Sequence, residues 1–131
     1  MKKLATVFVL LVLTASLISA QELKEQFDAN GVKNLITAIN SDNPGLQRSG
    51  LYLAGKYKVI DAAESVIAAY DKSETMSSKF LALHVMLQLG DKKSIAKVKE
   101  ISKFEENETL RTLAYSYYSN VVDIVLRYAS N

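Results

Sequence analysis

The sequence predicts an all-α protein, a short α-solenoid of stacked antiparallel helix pairs. Three observations lead there. Helix-compatible composition runs through nearly all of the chain after residue 20, with a single Pro and five Gly in 131 residues. Apolar residues recur at three- and four-residue spacing rather than in alternation. An echo at steps of 32 residues ties Asp42, Glu74 and Glu106 to one phase, Asn43, Thr75 and Asn107 to the next, then Gln47, Lys79 and Arg111, and Gly50, Ala82 and Ala114. Self-similarity at this period marks repeated helix pairs. Repeats that touch only their neighbours make an extended surface, which suits binding better than an enclosed reaction pocket.

The first twenty residues belong to a different argument. Lys2 and Lys3 form a basic start, Leu4 to Leu13 an apolar run, and Thr14 to Ala20 a short segment ending in a small residue. That order is a secretory signal peptide, 1–20, cleaved between Ala20 and Gln21. An uncleaved membrane anchor is the rival reading, but the apolar stretch is shorter than the roughly 20 residues needed to span a bilayer. The helical domain is then 21–131. Its expected localisation is periplasmic or secreted, in a bacterial envelope.

Setting the leader aside changes the charge that matters. The whole chain has 16 Lys+Arg against 14 Asp+Glu, and with Lys2 and Lys3 removed both signs stand at 14. A neutral domain lacks the positive field of a nucleic-acid binder. The absence of cysteine removes disulfides, thiol catalysis and thiolate metal sites together. Helix packing must therefore supply the stability.

A first helix is expected over Glu22 to Ala29, stopped by Asn30-Gly31, a pair suited to a left-handed turn. A second follows from Val32 to Ile39, with Val32, Leu35, Ile36 and Ile39 on one face. Asn43 caps the next helix and Pro44 takes its first position, where the missing N–H is no loss. Thr75 and Asn107 repeat the cap. Acidic Asp42, Glu74 and Glu106 stand just before these starts, where negative charge favours a helix N-terminus. The inward faces are Leu46, Gly50, Leu51, Leu53, Ala54 and Tyr57 in the first copy, and Ala82, Leu83, Val85, Met86 and Leu89 in the second. In the third they are Leu110, Ala114, Tyr115, Tyr117, Tyr118 and Val121. Second helices follow at Ile60 to Tyr70 and Lys92 to Ser102, and a shortened one at Val122 to Tyr128.

The run Asp42-Asn43-Pro44-Gly45-Leu46-Gln47-Arg48 through Leu53-Ala54-Gly55 resembles the opening helix of a short HEAT-like repeat, of the bilin-lyase-related type. Lys79, Ala82 and Leu89-Gly90-Asp91 match its basic position, small position and closing turn. The third copy keeps Leu110-Arg111 and Ala114 without a Gly-Asp turn. The resemblance covers Val32 to the C-terminus and implies a scaffold or binding module with no catalytic residue to transfer. A TPR-like stack is the neighbouring alternative, although the Trp-containing TPR pattern is missing.

Chemistry has little to use. His84 is the single histidine, in phase with Tyr52 and Ser116. No nucleophile or orienting carboxylate stands at a recognisable spacing from it. No Cys/His set for zinc and no phosphate-binding glycine loop occurs, so no catalytic, cofactor or metal residue is assigned. Asn107-Glu108-Thr109 spells a glycosylation acceptor but reads more simply as a cap. The resemblance implies that the second helices line a concave groove, with Lys93 and Lys97 on a basic half beside Asp61 and Glu64 on an acidic half. A pair of solvated charged faces is the plainer reading. Tyr115 and Tyr128 are the candidates for an exposed terminal edge. The expected function is a non-enzymatic, exported protein-binding or scaffold module, with a protein partner and with self-association through the terminal repeats as a second option. The alternative is an accessory subunit or divergent relative of a HEAT-like lyase-type enzyme.

Overall fold

A computed structural model describes residues 27–129, with side chains described as far as residue 124. The signal-peptide reading, its cleavage site and most of the Glu22 to Ala29 helix lie outside the described residues. Those described are helical, with no strand: α1 (Ala29–Ile39), α2 (Pro44–Lys56), α3 (Ala63–Lys72), α4 (Met76–Leu89), α5 (Lys92–Phe104) and α6 (Glu108–Ala129). A 3-10 turn, Ile60–Ala62, leads into α3.

The expected stop at Asn30-Gly31 is a start instead. Phe27 and Asp28 are not helical, and the Asp28 carboxylate accepts the Gly31 N–H at 2.7 Å. The Val32 N–H then closes the first turn on the Asp28 carbonyl at 2.9 Å. A short acidic side chain preceding the pair captures the free N–H groups of a new helix before the glycine can end an old one. The boundary between two compact units falls within α1, after Lys33.

The repeated caps form as read. Asn43 Oδ1 accepts from Gly45 and Leu46 N–H at 3.0 and 3.1 Å. Thr75 Oγ1 accepts from Ser78 N–H at 3.3 Å, and Asn107 Oδ1 from Leu110 N–H at 3.1 Å. Asp91 adds a fourth cap, accepting from Lys93 N–H at 3.0 Å at the head of α5.

From residue 34 onward, α2 packs on α4, α3 on α4 and α5, α4 on α5 and α6, and α5 on α6. Because α4 has neighbours on several sides, its apolar residues are spread around the helix rather than along one stripe. Ala82, Leu83, Val85, Met86 and Leu89 are all buried. Each large side chain among them contributes about 1.5–3 kcal/mol through burial. The small-residue phase serves close approach: a Cβ at Gly50 would lie 2.9 Å from the Ile39 backbone nitrogen. Ala82 and Ala114 hold the corresponding positions fully buried. Leu46, expected inside, is half exposed in the first turn of α2.

The C-terminal segment departs from expectation. No separate helix forms over Val122 to Tyr128, because α6 runs unbroken for 22 residues. The turn that ends the earlier opening helices needs a left-handed residue, supplied by Lys58 and Gly90. Val122 holds that phase in the third copy. A β-branched side chain resists that conformation, so the helix continues.

Candidate functional site

The second helices α3 and α5 lie side by side. Their opposite charges meet rather than forming separate halves. Lys93 pairs with Glu64, both side chains well exposed, and Lys97 Nζ lies 2.9 Å from Asp71 and 2.8 Å from Glu100. The Lys93 ammonium holds the Glu64 carboxyl below its ordinary range, and Glu64 holds Lys93 above its own. At Lys97, whose side chain is 14% exposed, burial disfavours the charge. Hydrogen bonds to Glu100 and Asp71 outweigh that penalty and raise its pKa. Of the four charged residues singled out from the sequence, Asp61 alone has no ion-pair partner among the described residues; it is exposed beside the 3-10 turn. The remaining charge presented by these helices is therefore smaller than the lysine count of α5 suggests.

A second cluster joins the end of α3 to the α5–α6 connection. Buried Tyr70 donates its hydroxyl hydrogen bond to Glu105 Oε2. Lys79 Nζ lies 3.5 Å from the same oxygen and 5.3 Å from the Tyr70 ring centre. The Asn107 N–H donates to Glu105 Oε1 at 3.2 Å. Burial, followed by the Glu105 hydrogen bond, drives the Tyr70 phenol well above its ordinary range. The Tyr70 hydrogen bond is the foremost cause of the lowered Glu105 pKa. One group stays protonated and the other ionised near neutrality, so neither is poised for proton exchange. The cluster is a tie between helices. Periodicity carries no signal for this tie, because the residues in phase with Glu105 are Ser41 and Ser73.

At the other end, Tyr115, which its spacing places on the inward face, is instead 63% exposed. Tyr117 is half-buried and donates to the Leu87 carbonyl at 3.2 Å, while Tyr118 lies beneath Lys99, 5.6 Å from the ring centre. The side chain of Tyr128 lies outside the described residues. The expected aromatic edge is thus represented by Tyr115.

Between α2 and α4 a recess of about 320 Å³ is lined by Tyr52, Lys56, Leu81, His84, Val85 and Gln88. His84 is exposed there, and no carboxylate lines the recess to orient it. Among the described residues no cluster of three His, Cys, Asp or Glu side chains is placed to hold a metal ion. No helix among them is long and apolar enough to cross a membrane. In comparisons with family models, curated proteins and solved structures, the chain has no match.

Proposed function

We propose that the chain is an exported, non-enzymatic binding or scaffold module built as a short HEAT-like solenoid. The observation that carries this reading is the recurrence of one helix-start device at Asn43, Thr75 and Asn107. The neighbour relations support it. The opening helices α2, α4 and α6 pack in sequence order, and the second helices α3 and α5 pack beside one another, as in a two-layer stack of repeats. No carboxylate lines the recess to orient His84 as a base, which favours a binding surface over a reaction centre there. The resulting extended surface is suited to a protein partner.

The test is photo-crosslinking in intact cells. A photoreactive residue is placed in turn at Asp61, Tyr115 and Tyr52, followed by mass spectrometry of the products and of the mature N-terminus. Discrete protein adducts at one of these positions, on a chain beginning at Gln21, support the module and its export. A chain retaining Met1, without adducts at any position, refutes both.

A further inference from the structure

Helical spacing places Arg48, Tyr52 and Lys56 in one row along α2, and Phe80, His84 and Gln88 in the corresponding row along α4. Each residue of the first row is 32 positions from its mate in the second, and all six are exposed. The recess described above lies between these helices. Neither helix contains a single Asp or Glu. In a chain with nearly balanced charge, that is a local segregation of sign rather than a general basicity.

The cations on this face differ from those on the second helices. Lys93 and Lys97 are paired with acids of the same chain. Arg48 and Lys56 have no carboxylate partner among the described residues. Lys56 Nζ lies 5.9 Å from the Tyr52 ring centre and 5.2 Å from that of Tyr57, a cation held against aromatic surface. Tyr52 and Gln88 add hydrogen-bond donors, while Leu81 and Val85 give the recess an apolar lining. Exposed Phe80 extends the apolar surface toward the start of α4.

We propose that this face of α2 and α4 docks an acidic peptide segment of a protein partner, with carboxylates toward Arg48 and Lys56 and an apolar side chain in the recess. The proposal rests on the binding-module reading and supplies its surface and partner class. Charge complementarity selects the carboxylates. The aromatic and aliphatic surface supplies the burial that exposed charges alone do not provide. A concave recess favours a peptide side chain over a flat lipid surface.

The probe is a dye-labelled peptide with glutamates flanking a central phenylalanine, followed by fluorescence anisotropy on the purified mature protein. A glutamine analogue of the peptide and phosphatidylglycerol vesicles form separate arms. The glutamate peptide should bind and the glutamine analogue should bind more weakly. The double variant Arg48→Glu, Lys56→Glu should lose affinity by about tenfold or more, and Tyr52→Ala should also weaken binding. Lys92→Glu with Lys103→Glu, an equal charge change on exposed positions of α5, should change affinity by less than about twofold. Circular dichroism confirms that each variant remains helical. Equal binding of the glutamine analogue, an equal loss in the α5 control, or vesicle binding without peptide binding overturns the proposal. Failure of the peptide alongside cell crosslinks at Asp61 or Tyr115 removes this surface and leaves the module reading standing. Failure of the peptide with no crosslinks removes both.

Discussion

Lys58 and Gly90, 32 positions apart, both take a left-handed backbone, with φ of 50° and 62°. The Lys58 N–H donates to the Gly55 carbonyl at 3.2 Å and the Gly90 N–H to the Met86 carbonyl at 3.1 Å. Both residues close an opening helix and turn the chain toward its second helix. Gly90 does so without a Cβ penalty, whereas Lys58 carries one.

That difference makes Lys58→Gly and Gly90→Ala opposite in sign. Gly90→Ala should destabilise by about 1–2 kcal/mol. Lys58→Gly should stabilise by less than about 1 kcal/mol, since relief of the left-handed strain is partly offset by greater freedom in the unfolded chain. Urea denaturation followed by circular dichroism measures both; equal effects of the same sign would refute the assignment.

Gly50 and Gly55 provide a second contrast within α2. A Cβ at Gly50 would meet the Ile39 backbone at 2.9 Å and the Ala38 Cβ at 3.1 Å. Those groups sit in a packed helix, so Gly50→Ala should cost about 1–3 kcal/mol through overpacking. At Gly55 the shortest approach is 2.1 Å to Gln88 Oε1, the far end of a flexible side chain. Once Gln88 swings away, the gain in helix propensity, about 1 kcal/mol, offsets most of the remaining crowding. Thermal melts should show a large loss for Gly50→Ala and little change for Gly55→Ala.

The cap and core of α4 are legible in the sequence because both depend on local chemistry. Thr75 needs only its own helix start, and Ala82, Leu83, Val85, Met86 and Leu89 are apolar at helical spacing. The continuation of α6 is written there too, at Val122, but as a missing turn residue rather than a positive signal. The Asp28 cap competes with Asn30-Gly31, and propensity alone does not rank a start against a stop. Pairing of Lys93 with Glu64 is not legible, because it depends on which faces of α3 and α5 meet. Glu105 has no charged counterpart at the 32-residue steps before it, so periodicity cannot reveal its bond to Tyr70.

The Tyr70–Glu105 tie gives a pH signature. The folded-state pKa of Glu105 is lowered, so its contribution is present above the unfolded value and is lost as pH falls through the folded one. Stability should therefore decline below about pH 4.5. Tyr70→Phe removes the hydroxyl donor and should cost about 1–3 kcal/mol near neutrality, with parent and variant converging in acid. Chemical denaturation at a series of pH values reads the difference; parallel curves down to pH 3 would assign the acid loss to other carboxylates.

Lys93 and Lys97 occupy the same helix and have different energetic roles. Lys93 and Glu64 are both solvent-exposed, so Lys93→Glu should leave the melting temperature nearly unchanged. Lys97 is mostly covered and lies between Asp71 and Glu100. Reversing it sets three carboxylates together and should cost about 1–3 kcal/mol, between the effects for exposed and buried pairs. Because the Lys97 pKa is raised in the folded state, its contribution is present below the unfolded value and disappears as pH rises through the folded one. The parent should thus lose stability above about pH 10, and the difference from Lys97→Glu should shrink there. Combining Lys97→Glu with Asp71→Lys restores opposite charges across the α3–α5 seam. Partial recovery in that double variant, absent when Lys97→Glu is combined with Glu64→Lys, would locate the interaction at Asp71; equal recovery in both would reduce it to a general effect of net charge.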